Sequence, residues 1–206
     1  MSEKITVQQA KTIMGENFIG PDELKKINFL ETIDSESVPD VPFDDEYLKK
    51  RKDDYLLILG IGRFADGKKV TIRNLQQILG KDPEEKEPCF YNQDWYDNES
   101  FIDVSMRDEW FLIRKNVYED SRAIQPIELV KKYKFPSAIC CTYAFFMAWF
   151  ALGIKLWCHD FVWCRDTDHN GDRIYVGKYY DVDGINKNGF SIHRHLSLRT
   201  CYACID

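Results

Sequence analysis

An excess of positive charge is missing from this chain: 28 Lys and Arg stand against 34 Asp and Glu, a net of −6. No global field therefore gathers nucleic acid or an anionic membrane, and neither is expected as a partner. The opening Met1-Ser2-Glu3-Lys4-Ile5 lacks the apolar core of a signal peptide, so a cytoplasmic location is expected. An even cysteine framework is lacking too. The seven cysteines fit reduced thiols better than a disulfide scaffold. No internal repeat and no low-complexity tract is present, which removes solenoid and linker-like readings of the whole chain.

What is there is a globular composition, 44% apolar, 30% charged and 14% aromatic over 206 residues. A chain of this length buries roughly 70% of the surface it exposes when unfolded. The stretch from Ser137 to Ile154 carries no charge, and 15 of its 18 residues are apolar. A membrane-spanning helix takes about 20 such residues. Gly153 and Lys155 close this one early and strand-like sequence follows, so residues 137–154 are expected to form a central helix covered on every side by protein.

Before it, Thr6-Val7-Gln8-Gln9 is a capping-box pattern that opens a short helix ending at Gly15, and Gly20-Pro21-Asp22-Glu23 starts a second. From Glu31 to Glu46 there are seven acidic residues, two prolines and no Lys or Arg, the composition of a linker. Residues 1–45 are accordingly expected as a small N-terminal helical lobe plus acidic linker, and 46–206 as the main domain. There, Tyr55 to Ile61 is an apolar run of central-strand type, Thr71 caps a helix stopped by Gly80, Trp110 to Arg114 reads as a strand and Pro126 opens a short helix. After Gly153, His159 to Cys164 and Arg173 to Tyr179 flank Asn170-Gly171, a strong hairpin signal. Phe190 to Leu198 alternates as a further strand. The fold class predicted is α+β: N-terminal helices and a central buried helix packed on a mainly antiparallel sheet formed largely by the C-terminal third.

Several fragments approach known chemistry and stop short of it. Gly62 to Lys68 matches a phosphate-binding loop until Lys69 stands where Ser or Thr should hold magnesium, so an Asp66-Gly67 turn is the expected structure. Asp166-Thr167-Asp168-His169-Asn170-Gly171 begins like a calcium loop, but position twelve is Gly177 and the flanks are strands. His193 and His195 leave the same face of one strand, and Cys201 and Cys204 add a second close pair. A metal would need a further ligand from a neighbouring strand, and neither a metal nor a cofactor is expected. The basic clusters Lys49-Lys50-Arg51-Lys52 and Lys131-Lys132-Tyr133-Lys134 read as solvated helix faces.

Cys140 and Cys141 open the buried helix, with histidines on strands downstream. A helix N-terminus favours thiolate, and a strand histidine can act as its base. This order is loosely similar to that of papain-like and related cell-wall cysteine peptidases, although Tyr175 stands before Val176-Gly177 and no histidine occupies that strand. The resemblance implies a cysteine-dependent hydrolase using Cys140 or Cys141 with His159, His193 or His195. Against it stands a reading that needs no fixed spacing, a non-enzymatic ligand- or protein-binding module of bacterial type. In that reading an unidentified protein or small molecule meets Trp95, Tyr96, Trp163, Tyr175 and Tyr179, whose rings combine apolar area with a polar tip. The binding module is the preferred expectation, because every catalytic fragment is incomplete.

Overall fold

A computed structural model describes residues 5–179 and 188–206. In chain order the elements are α1 (Val7–Met14), β1 (Phe18–Ile19), α2 (Pro21–Leu24), α3 (Asp45–Lys49), β2 (Tyr55–Leu59), α4 (Ile72–Leu79), β3 (Trp110–Arg114), α5 (Pro126–Leu129), α6 (Ala138–Leu152), β4 (Phe161–Thr167), β5 (Arg173–Gly177), β6 (Ser191–Arg194) and β7 (Tyr202–Ala203). Local chemistry sets most of these boundaries. Thr6 Oγ1 accepts from Gln9 N–H while the Gln9 side chain accepts from Thr6 N–H, closing the capping box of α1. Thr71 caps α4, whose Ile72, Leu75 and Leu79 are buried, and Gly80 ends it at φ 76°.

α6 is held at both ends. Ser137 Oγ accepts from Cys140 N–H at 3.3 Å, and Asp166 reaches over from β4 to accept Ala138 N–H at 2.6 Å. The carboxylate supplies the anion that the uncharged first turn of the helix lacks. At the other end Gly153 adopts the left-handed φ of 70°, and the N–H groups of Gly153 and Ile154 return to Trp149 and Ala148. Its 15 residues reach about 22 Å at ~1.5 Å each, short of a hydrocarbon layer of about 30 Å. Among the described residues no helix is long and apolar enough to cross a membrane.

Two mixed sheets flank this helix, making the fold α+β. The three-stranded sheet runs β1-β2-β3, parallel then antiparallel, and the four-stranded sheet runs β6-β5-β4-β7, antiparallel except for the parallel β4–β7 pair. α6 packs against both: Tyr143 donates its hydroxyl to Leu59 O on β2, while Phe145 and Phe146 lie against Phe190 beside β6. In the second sheet the row Val162, Val176, Ile192 faces the α6 core, and the row Trp163, Tyr175, His193 faces the other way. Leu129 and Phe135 cover that second face.

Residues 5–45 do not stand apart. β1 is a strand of the β2 sheet, and Ala10, Met14, Leu24 and Val41 enter the same core as Leu56 and Phe146. The acidic stretch is tied down by the buried Val41 within it and by Leu30 just before it. β6 is shorter than the alternation suggests. Phe190 N–H donates to Cys89 O instead of a strand partner, and Leu196 is exposed.

Candidate functional site

β3 is the edge strand of its sheet. Gly60 N–H donates to Glu109 O at 2.9 Å, directly opposite in the β2–β3 register. Antiparallel ladders alternate, so Phe111 and Ile113 turn their backbone groups toward β2 while Trp110, Leu112 and Arg114 turn theirs outward. Arg114 is met on that side: its N–H donates to Asp206 O and its carbonyl accepts from Trp157 Nε1. Among the described residues, nothing meets the outward N–H and C=O of Trp110 or Leu112.

A hollow opens on each face of this bare edge. One, of about 460 Å³, lies on the Trp110 and Leu112 face beneath Phe43, Tyr47 and Tyr55. The other, of about 490 Å³, lies on the Phe111 face between Met106, Ile139 and Pro136. Phe111, Leu112, Lys134 and Asp206 line both, so the hollows meet at the open edge. The walls carry Arg51 and Lys132 on one side, Arg107 and Arg165 on the other and Lys134 between, against the two acids Glu109 and Asp206. The Arg51 guanidinium stacks on Tyr47 with its carbon 3.6 Å from the ring centre and donates from Nη1 to Tyr47 O at 3.4 Å, so its other N–H groups are the ones that can take a carboxylate. Asp206 accepts from the hydroxyls of Tyr55 and Tyr118 at 2.6 and 2.9 Å. In a chain of net charge −6 this is a locally cationic, aromatic-walled groove along unpaired backbone.

The helix cysteines and the strand histidines His193 and His195, expected to work together, are parted by a sheet. Cys141 is fully buried in α6 beside Cys164 on the α6 face of β4. His193 and His195 lie on the opposite face, stacked on Tyr175 at 5.3 Å and edge-on to Trp163 at 5.1 Å. Burial pushes the Cys141 thiol well up from its ordinary value, the reverse of what a nucleophile needs. Cys140 lines the second hollow, but burial raises its thiol too and its hydrogen-bonding partner is Ser137. Burial, aided by nearby Arg199, lowers His193 to about 4, so that ring is neutral at neutral pH. His195 Nε2 meets Gln125 Oε1 at 2.9 Å, and His159 sits at a left-handed φ of 64° beside Tyr179.

The five aromatics proposed to bind are likewise dispersed. Tyr96, Trp163 and Tyr175 are buried in core, Trp95 is half-buried with its N–H on Ile192 O, and Tyr179 is exposed. The phosphate-loop fragment is a tight turn, with Phe64 N–H donating to Lys68 O and Gly67 at φ 81°. The calcium-like fragment is divided: Asp166 caps α6, while Asp168 Oδ1 accepts from the N–H groups of Asn170 and Asp172.

One further group, Glu99, Asp168 and His169, places three possible metal-ligand atoms within 4.8 Å of one another. Its charges are already matched inside the protein. Arg194 pairs with Asp168 at 3.3 Å, and His169 bonds Glu99 through both its backbone N–H and its Nδ1, at 2.9 and 2.5 Å. The group therefore fastens the β4–β5 turn to the segment at Glu99. The hydrogen bond to Glu99 and that carboxylate's charge raise the His169 pKa above its ordinary 6.5. Its stabilising contribution is then fully present below about pH 6.5 and lost as pH rises through the raised value. The Tm advantage of the native protein over His169→Asn is expected to be larger at about pH 6 than at about pH 9. A constant difference over that range would show that the imidazolium contributes nothing.

The residues missed by sequence reasoning are those of the groove. Their signals were visible as two basic clusters and the strand Trp110 to Arg114, but the clusters are some eighty positions apart in sequence and only folding brings Arg51 to Lys132 and Lys134. Set against known protein families, curated proteins and solved structures, the chain matches none of them.

Proposed function

We propose that the protein is a non-enzymatic binding module that takes an extended segment of a protein partner along the outer edge of β3. The observation that carries this reading is the bare backbone of Trp110 and Leu112 with a hollow on each face. A strand added to a sheet edge gains main-chain hydrogen bonds, and its side chains alternate between the two faces. Here each face offers a recess, of about 460 and 490 Å³, lined in part by apolar side chains and roomy enough for those of an added strand. A hydrolase is less well supported, because the sheet separates Cys141 from His193 and His195 and burial disfavours both helix thiolates.

Selection from a displayed library of random linear peptides tests the proposal. The native protein is expected to enrich extended sequences with an apolar centre. Leu112→Lys, placed at the junction of the hollows, is expected to lose that enrichment by at least about tenfold, the scale of a buried anchor in an interface. Ile127→Lys, on an exposed site that lines neither hollow, is expected to keep it. Enrichment that survives Leu112→Lys in a protein with a native melting curve rejects the β3 edge as the site.

A further inference from the structure

Resting on that reading, we infer that the occupant is an acidic peptide: an extended segment with a short apolar centre flanked by Asp or Glu. The groove carries five cationic side chains, Arg51, Arg107, Lys132, Lys134 and Arg165, against Glu109 and Asp206. Lys132 is paired with Asp120 at 2.6 Å, whereas Arg51, Arg107, Lys134 and Arg165 have no carboxylate within 4.0 Å among the described residues. Acids outnumber bases across the chain as a whole. Four cations without an acid beside a bare strand edge therefore form a local field of the opposite sign to the molecule's.

The geometry makes that field selective. Phe111 and Leu112 are half-buried at the meeting point of the hollows, which places the apolar contact at the centre of the edge. The unpaired cations lie to either side: Arg51 over the Trp110 and Leu112 face, Arg107 and Arg165 over the Phe111 face, with Lys134 bordering both. Because neighbouring residues of a strand point to opposite faces, successive acids can be met alternately from the two walls. Arginine suits this task, since its planar fork pairs with a carboxylate in two parallel bonds. Single-stranded nucleic acid would also meet cations and rings, and its phosphates could accept from the N–H groups, but they offer no donor to the C=O groups of Leu112 and Trp110. Strand pairing favours a peptide.

Fluorescence anisotropy with labelled nonapeptides tests the inference on the whole protein. The probes are Glu-Glu-Glu-Val-Leu-Val-Glu-Glu-Glu, its Gln and Lys counterparts, the Glu peptide N-methylated at Val, Leu and Val, and a single-stranded RNA of equal charge. The Glu peptide is expected to bind at least tenfold more tightly than the Gln peptide, and the Lys peptide weakest. N-methylation, which removes the strand's donors, is expected to abolish binding, and the RNA is expected not to compete. For two exposed cations each contributing a few-fold, Lys134→Glu with Arg165→Glu is expected to weaken the Glu peptide about tenfold or more. Added salt is expected to weaken the unmutated protein's binding, a readout independent of whether the variant folds. Equal binding of the Glu, Gln and Lys peptides, all lost in Leu112→Lys, overturns the acidic preference and leaves the β3 module standing. Binding of none of the peptides overturns both. Preferred RNA binding, or binding unaffected by N-methylation, overturns the strand-pairing acidic peptide.

Discussion

Phe146→Ala is expected to lower the free energy of unfolding by about 3–5 kcal/mol, the cost of emptying a phenylalanine site in a tightly packed core. Phe146 is fully buried midway along α6, with Phe90, Phe145 and Phe190 at ring distances of 4.8, 5.3 and 5.5 Å. Those neighbours come from the helix itself and from two segments joined by the bridge between Phe90 and Phe190. Little of the vacated space can close, because each neighbour is fixed by another contact. A domain of this size has about 5–15 kcal/mol in all, so the variant should lose a large share of its stability and melt about 10 °C lower. Urea unfolding measures it, and Phe146→Leu should recover at least about half of the loss. A cost below about 1 kcal/mol would mean that the centre of α6 is not enclosed by protein.

Asp168→Ala is expected to be nearly as damaging, at about 3 kcal/mol. The Asp168 side chain is fully buried, accepting the N–H groups of Asn170 and Asp172 on Oδ1 and facing Arg194 on Oδ2. Alanine removes the acceptor for all three at once. Arg194 is 37% exposed and can turn partly to water, which keeps the cost at the lower end of the range for a broken buried pair. Asp168→Asn keeps an acceptor in place and is expected to cost about half as much. Burial pushes the Asp168 carboxyl up, but the N–H groups of Asp172 and Asn170 together with Arg194 outweigh it and hold the pKa below its ordinary 3.8. The stabilisation is therefore present above about pH 3.8 and lost as pH falls through the lowered value. If Asp168→Asn and Asp168→Ala unfold at the same urea concentration, the backbone donors of the turn do not depend on this acceptor.

Much of the fold is legible in short stretches of sequence. The capping box at Thr6, the cap at Thr71, the charge-free run opened by Ser137 and closed by Gly153, and the Asn170-Gly171 turn each act through hydrogen bonds or torsions within a few residues. The strand Trp110 to Arg114 was readable from its composition alone. Its place at the edge of a sheet was not, because nothing in four apolar residues and an arginine says which side finds a partner. The histidines repeat the lesson. Alternation puts His193 and His195 on one face, and it takes the pairing of Val162, Val176 and Ile192 to show that α6 and Cys141 lie behind the other.

The capped helices α1, α4 and α6, the strands β2 and β3, the Asn170-Gly171 hairpin and the helix that must be enclosed followed from the sequence by itself, since caps, turns and periodicity work over a few bonds. The short elements β1, α3 and β7 and the bounds of β4 and β6 did not. The open edge of β3, the meeting of Arg51 with Lys132 and Lys134, and the separation of thiols from imidazoles were decided only by the tertiary structure. Those features depend on which distant surfaces bury each other, and that choice is made by the packing of the whole core around α6.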